Sequence, residues 1–79
     1  MTTLQAFLHD VGGYIKERAQ QAVQVRDCEE VGSLNRQYQN GRVMGFNEAI
    51  SILQQTAKGF DIPLSALSLE DIEPDRDLV

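Results

Sequence analysis

The sequence lacks most of the devices that stabilise small folds. It has one cysteine, Cys28, so an internal disulfide is excluded, and a lone thiol is typical of a reducing compartment such as the cytoplasm. There is no tryptophan, and three phenylalanines and two tyrosines make a thin aromatic core for 79 residues. Since chains of this size usually need a disulfide, a metal or a partner chain, we expect this one to pair with another chain.

Proline and long apolar stretches are also scarce. Pro63 and Pro74 are the only prolines, so no proline interrupts a helix upstream of residue 63. The N-terminus has neither the basic start nor the apolar core of a signal peptide, and no stretch approaches the roughly 20 apolar residues of a membrane span. These absences predict a soluble protein of the cytoplasm (the host cytoplasm if the source is viral) with no membrane partner.

Negative charge is concentrated at the C-terminal end. Residues 1–60 hold six acidic and six basic side chains, whereas residues 61–79 hold six acidic side chains and one arginine. The net charge of −5 therefore comes from the last segment alone. We expect one helical domain over residues 1–74 and an acidic, flexible tail over residues 75–79. Direct nucleic-acid binding is not expected, because it needs a positive footprint.

Apolar spacing predicts a long first helix over about residues 3–38. Thr2 or Thr3 can cap its start, because a threonine hydroxyl accepts a hydrogen bond from an unpaired backbone N–H. Gly12-Gly13 and Gly32 are weak points, and each admits a kink, a real break or a close approach by another backbone. The apolar stripe of this helix begins with Leu4, Phe7, Leu8, Val11 and Ile15.

A second, antiparallel helix is predicted over about residues 42–58. Asn40-Gly41 precedes it and predicts the end of the first helix, since this pair tolerates positive φ. Gly59 is the expected C-terminal cap, and Pro63–Leu67 and Leu69–Ile72 are expected to form short helical turns, the latter capped by Ser68. The seam of the second helix alternates steps of three and four: Val43, Phe46, Ile50, Leu53 and Ala57.

The expected fold is an all-α bundle in which the first helix is about twice as long as the second. A helix of about 35 residues is roughly 50 Å long, so a simple hairpin would leave the start of the first stripe bare. Either the first helix breaks and the chain is a compact monomer, or two chains bury the stripe in a four-helix homodimer. We favour the homodimer, with these core or dimer residues: Leu4, Phe7, Leu8, Val11, Ile15, Val43, Phe46, Ile50 and Leu53.

No group of side chains predicts catalysis, a cofactor or a metal site. His9 is the only histidine, and its sequence neighbour Asp10 points elsewhere on a helix, so no general base is oriented. Cys28 lies on or near the apolar stripe, where cysteine behaves as a small hydrophobic residue. One histidine and one cysteine cannot form a tetrahedral zinc site, and the C-terminal acids lack the spacing of a calcium loop. We therefore expect no enzyme, no cofactor and no metal.

The stretch from Gly41 to Ile50, GRVMGFNEAI, resembles the second-helix entry of many small phage or prophage proteins. In those proteins a glycine turn leads into an amphipathic helix after a long first helix. The resemblance implies a helical accessory protein that modulates a host factor, for instance a defence or gene-expression component. It transfers no functional residue to this chain.

The predicted function is that of a non-enzymatic protein-binding module, an inhibitor or modulator of another protein. Arginine and tyrosine near the predicted turn are candidate contacts, because both are enriched in binding hot spots. Acidic residues of the last segment are candidates for binding a basic groove and for setting specificity. The candidate partner-binding residues are Arg36, Tyr38, Arg42, Glu70, Asp71 and Glu73.

Two alternative functions remain open at this point. A small nucleic-acid-associated regulator could present Lys16, Arg18 and Arg26 as one basic strip on paired helices. A structural subunit or spacer of a larger assembly would need no binding site beyond its contacts with neighbouring subunits.

Overall fold

Two long helices of equal length make up most of this computed structural model, which describes residues 1–79. Helix α1 spans Thr3–Cys28 and helix α2 spans Leu34–Gly59, each with 26 residues. They pack against each other as a hairpin, followed by a short 3-10 turn at Leu64–Leu67 and the one-turn helix α3, Pro74–Asp77. The fold contains no strand, so the predicted all-α class is confirmed.

The break between the two long helices lies at Gly32, one of the breaks that the sequence allowed. Gly32 has φ +84°, a left-handed conformation that glycine adopts without strain. The hydroxyl of Ser33 then caps α2 by accepting a hydrogen bond of 3.1 Å from the backbone N–H of Arg36. The predicted helix end at Asn40-Gly41 is wrong, because this pair lies inside α2. There, packing of the apolar seam outweighs the low helix propensity of one glycine, about 1 kcal/mol.

Thr2 fixes the start of α1 through a capping box. Its hydroxyl accepts a hydrogen bond of 3.1 Å from the backbone N–H of Gln5. The side-chain carbonyl of Gln5 accepts one of 2.8 Å from the backbone N–H of Thr2. Both bonds satisfy backbone donors that a helix start leaves without partners, and the predicted cap is confirmed at Thr2.

Helix α1 runs without interruption through Gly12-Gly13, because another part of the chain packs directly on Gly12. A Cβ at position 12 would overlap the carbonyl oxygen of Leu67, in the Leu64–Leu67 turn. Of the three interpretations that the sequence allowed, the close approach of another backbone is the one that holds here.

Residues 61–79, called the C-terminal arm below, fold back over one side of the hairpin. The Leu64–Leu67 turn packs on α1, and α3 packs on α2. Ser68 adopts φ 58° and ends the Leu64–Leu67 turn in the left-handed region. Because the chain reverses there, the predicted helix Leu69–Ile72 does not form, and these residues make a non-helical turn.

The last residues of the arm are packed against α2, which corrects the prediction of a free tail over residues 75–79. Pro74 begins α3 instead of stopping a helix, and Leu78 is completely buried. The side-chain amide of Asn47 donates hydrogen bonds of 2.9 Å to the carbonyl of Pro74 and 3.1 Å to that of Leu78. An apolar anchor and two hydrogen bonds thus hold a segment whose acidic composition resembles that of a solvated tail.

The core lies between the hairpin and the arm. Gln54 crosses this boundary, where its side-chain amide donates hydrogen bonds of 3.1 Å to the carbonyl of Leu69 and 2.8 Å to that of Ile72. The buried core residues are Ala19, Ala22, Val43, Ile50, Leu69, Ile72 and Leu78, with Ile15, Val23, Phe46, Leu53 and Leu67 packed against them.

Candidate functional site

Two helix faces carry apolar side chains that the fold leaves uncovered. The first, called the outer α2 face below, consists of Leu34, Tyr38, Gly41, Gly45 and Ile52. Steps of three, four and seven residues place all five on one side of α2, turned away from its buried side. The large side chains at positions 34, 38 and 52 are 82%, 68% and 56% exposed. Glu48, which is also exposed, lies on the same side of α2 between Gly45 and Ile52. A largely apolar surface of this extent on a single helix is a candidate for binding another macromolecule.

The two glycines of the outer α2 face have no role within the chain. Apart from the adjacent residues and the local backbone of α2, no atom lies within 4 Å of a Cβ built at Gly41 or Gly45. Neither has positive φ, so neither needs the conformational freedom of glycine. Each nevertheless costs about 1 kcal/mol relative to alanine inside a helix. Gly12 differs from these two glycines, because a Cβ at position 12 would overlap the backbone of Leu67.

The second uncovered face, called the α1 seam below, consists of Leu4, Phe7, Val11 and Tyr14. All four are exposed, and Leu4 and Phe7 are 66% and 60% exposed. The sequence predicted that a simple hairpin would leave the start of the first stripe, including Leu4, Phe7, Leu8 and Val11, bare because the second helix would be too short. That reason is wrong, since α2 is as long as α1. The seam is bare because it lies on the side of α1 opposite to the arm.

The predicted core or dimer residues differ in how deeply they are buried. Ile15, Val43, Phe46, Ile50 and Leu53 belong to the hydrophobic core or pack directly against it. The exposed residues of the α1 seam do not, and Leu8 is half-buried. Leu8 borders an open groove of about 540 Å³ between the start of α1 and the start of the arm, together with Met1, His9, Ile62, Pro63 and Ala66.

Arg36 does not belong to an outward-facing hot spot. One guanidinium nitrogen donates hydrogen bonds to the backbone carbonyls of Arg26, at 3.1 Å, and Glu29, at 3.0 Å. These carbonyls lie at the C-terminal end of α1, where backbone acceptors lack helical partners. A second nitrogen lies 3.8 Å from a carboxylate oxygen of Asp27. Arg36 therefore caps α1 and ties the two helices together.

Tyr38 and Arg42 fit the predicted site better than Arg36 does. Tyr38 belongs to the outer α2 face, and Arg42 lies one turn further along the helix at the edge of that face. Arg42 is half-buried, and its guanidinium donates a hydrogen bond of 2.8 Å to the side-chain carbonyl of Gln39. The structure thus brings two of the three predicted hot-spot residues together and turns the third inward.

The predicted acidic residues lie on the arm, away from the outer α2 face. Glu70 and Glu73 are exposed, whereas Asp71 accepts a hydrogen bond of 2.8 Å from the ammonium of Lys16. This hydrogen bond lowers the pKa of Asp71. It also joins the arm to α1, so Asp71 has a structural partner within the chain.

The arm also contains the carboxylate with the largest change in pKa. Hydrogen bonds from the guanidinium of Arg76, and then from the backbone N–H of Glu73, lower the pKa of Asp77 to about 2. The bond from Glu73 is 2.9 Å long, and those from Arg76 are both 2.8 Å. Asp77 thus closes the first turn of α3 with its side chain.

Two of the three cations in the basic strip that nucleic-acid binding would need already have partners within the chain. Lys16 is bound to Asp71, and only 17% of its side chain is exposed. Arg26 is 12% exposed and donates hydrogen bonds to Asp27 and Asn40, both at 3.1 Å. Of the three predicted cations only Arg18 stays outside these ion pairs. The electrostatic argument for nucleic-acid binding is weaker in the structure than in the sequence.

The remaining reactive groups stand apart from one another. No three histidine, cysteine, aspartate or glutamate side chains come together as metal ligands would. Cys28 is exposed at the end of α1, which corrects its expected place on the apolar stripe. Neither long helix has an apolar stretch that would let it cross a membrane.

In comparisons with known proteins, no family model, no curated protein and no solved structure matches the chain. The resemblance of residues 41–50 to small phage proteins stays a prediction.

Proposed function

We propose that this chain is a non-enzymatic protein-binding module that binds another protein through the outer α2 face. The observation that carries the proposal is the pair Gly41 and Gly45, exposed on the same side of α2 as Leu34, Tyr38 and Ile52 and packed against no other part of the chain. A helix that exposes apolar residues and omits Cβ atoms between them has a surface suited to close contact.

The partner that fits this surface is a protein that offers an apolar helix. Two helices pack at 8–10 Å depending on the side chains between them, and glycines at the crossing allow the closest approach. Gly41 and Gly45 lie one turn apart, as a helix crossing requires, with Tyr38 one turn before them and Glu48 one turn after them. Tyr38 would supply the rigid aromatic contact that binding hot spots favour.

Inhibition or modulation of the partner is the form of this function that we propose. A helix that occupies an apolar groove prevents the partner's own helix from binding there. The chain needs no catalytic group for this. Arg42 at the edge of the face would set orientation and specificity more than affinity.

Photo-crosslinking tests this proposal directly. A benzoylphenylalanine introduced at Tyr38 or at Ile52, in the full chain inside source cells, would react with whatever covers the outer α2 face. The control position is Gln20, which is exposed on α1. We expect one protein, other than this chain, to be captured from positions 38 and 52 and not from position 20. Capture of unrelated proteins in equal amounts from all three positions would contradict the proposal.

A further inference from the structure

The α1 seam has a different position and a different character from the outer α2 face. It presents four exposed apolar residues in a row with no glycine between them: Leu4, Phe7, Val11 and Tyr14. Tyr14 also borders a shallow apolar depression with Phe46 of α2, so the uncovered surface continues onto the second helix. We propose that a second copy of this chain covers the α1 seam, with the two α1 helices antiparallel.

The single chain exposes more surface than a compact monomer of its mass, and the α1 seam and the outer α2 face both contribute to this surplus. Its accessible surface is 5473 Å², whereas a monomeric domain of 8.8 kDa is expected to have about 4,800 Å². The surplus of about 700 Å² approaches the roughly 800 Å² that each partner buries in a standard protein interface. The molecule extends 45 × 21 × 16 Å, so it is elongated and flat, and each of its broad sides exposes a large part of the helix surface.

The spacing of the seam makes it complementary to itself. From Leu4 to Tyr14 the steps are three, four and three, which read the same in both directions along the helix. In an antiparallel pair, Leu4 of one copy therefore meets Tyr14 of the other, and Phe7 meets Val11. A two-fold interface requires this reciprocity, in which residue i contacts j and j contacts i. Alternating steps of three and four are also the spacing that allows two helices to interlock.

Charge favours the antiparallel direction and does not oppose pairing with a second copy. Arg18 continues the seam one turn after Tyr14. A parallel pair would place the two Arg18 side chains together, whereas an antiparallel pair places them at opposite ends of the contact. The acidic excess of the chain lies in the arm, which contacts α1 at Gly12, Gly13 and Lys16 on its other side. Two copies can therefore approach through the seam without bringing their acidic arms together.

Sedimentation equilibrium of the full chain over a range of concentrations tests the dimer. We expect a species of about 17.6 kDa, twice the mass of the 8.8 kDa chain. Phe7→Glu places a charge in the centre of the seam and should give a monomer. Ile52→Glu, at an equally exposed apolar position on the outer α2 face, is the matched control and should stay dimeric. A monomeric wild type, or a Phe7→Glu variant that dimerises like the wild type, would overturn the inference.

Leu4→Glu is a second variant that separates assembly from folding. Position 4 is in the first turn of α1, where an acidic side chain interacts favourably with the helix dipole. This variant should keep the circular-dichroism helix signal and still lose the dimer. If it dimerises as tightly as the wild type, the seam is not the interface.

Crosslinking tests the antiparallel direction. Leu4→Cys and Tyr14→Cys chains, both with Cys28→Ser, are mixed and treated with a short bis-maleimide. We expect links between the two kinds of chain and none within either kind, while links between two Leu4→Cys chains would overturn the antiparallel arrangement. The dimer and the proposed function are tested independently. The photo-crosslinking positions of the proposed function are on α2, so that experiment can be repeated with the monomeric Phe7→Glu chain.

Discussion

Gly12 lies so close to the carbonyl oxygen of Leu67 that no side chain fits between α1 and the Leu64–Leu67 turn. The turn can approach α1 this closely because the helix has no side chain at position 12. The contact joins the start of the chain to its end and sets where the arm begins to cover the core.

Gly12→Ala should therefore destabilise the fold, although alanine is the better helix former. The added Cβ forces backbone atoms of the arm away, and over-packing of this kind costs about 1–3 kcal/mol. In a domain of this size each kcal/mol corresponds to about 4–8 °C in the melting temperature. Thermal unfolding followed by circular dichroism at one fixed protein concentration checks this. An unchanged or raised melting temperature would show that the arm is not packed on Gly12.

Gly45→Ala should have the opposite effect and is the matched control for Gly12→Ala. Nothing lies within 4 Å of a Cβ at position 45, and its backbone is ordinary helix. Alanine should stabilise α2 by up to about 1 kcal/mol through its higher helix propensity. The same thermal unfolding experiment measures it. A fall in the melting temperature would mean that this face is already covered in the isolated protein.

Gln54→Ala should loosen the arm. The substitution removes the amide that binds the carbonyls of Leu69 and Ile72, and leaving such acceptors unpaired costs about 1–3 kcal/mol. Gln55→Ala, at the exposed neighbouring position, is the control and should change the free energy of unfolding little. Urea unfolding gives both values, and amide hydrogen exchange should show the loss of protection in residues 69–72. Equal effects of the two substitutions would contradict the anchoring role of Gln54.

Asp77 should contribute to stability in a defined range of pH. Its pKa is lowered from 3.8 to about 2 in the folded chain, so the folded state favours the charged form. The contribution is present above about pH 4 and is lost as the pH falls through about 2, because the unfolded state then binds more protons. Urea unfolding of wild type and Asp77→Asn should differ most above pH 4 and converge towards pH 2. Asp75→Asn, on the same turn, is the control for replacing a carboxylate by an amide. A difference in the free energy of unfolding between wild type and Asp77→Asn that widens in acid would contradict the prediction.

The sequence predicted the elements that depend on local chemistry. Thr2 caps α1 because its hydroxyl reaches a backbone donor three residues away, and this needs no tertiary contact. The seam through Val43, Ile50 and Ala57 was visible because apolar spacing reports the buried side of a helix. The sequence did not decide whether the break lies at Gly32 or at Gly41, since both are glycines beside polar residues. The cap at the following serine and the packing of α2 decide it.

The arm was predicted least well because long-range contacts hold it. Its acidic composition indicated a solvated tail, but Leu78 and the amide of Asn47 fix its last turn. A signal was present in the sequence. Asn47 and Gln54 are seven residues apart on the apolar side of α2, and polar groups there need buried partners. Of the predicted partner-binding residues, Tyr38 is exposed on α2 and its role stays a prediction, whereas Arg36 caps α1, a role that depends on where α1 ends.

The most direct test of the central claim is the affinity of the photo-crosslinked partner for a Gly41→Ala/Gly45→Ala double variant, measured by calorimetry beside the wild type. We predict that this variant melts at a higher temperature and yet binds at least roughly tenfold more weakly, a loss of about 1.4 kcal/mol. Higher stability with weaker binding separates the role of these glycines from folding. Binding as tight as that of the wild type would contradict the claim that the outer α2 face binds another protein.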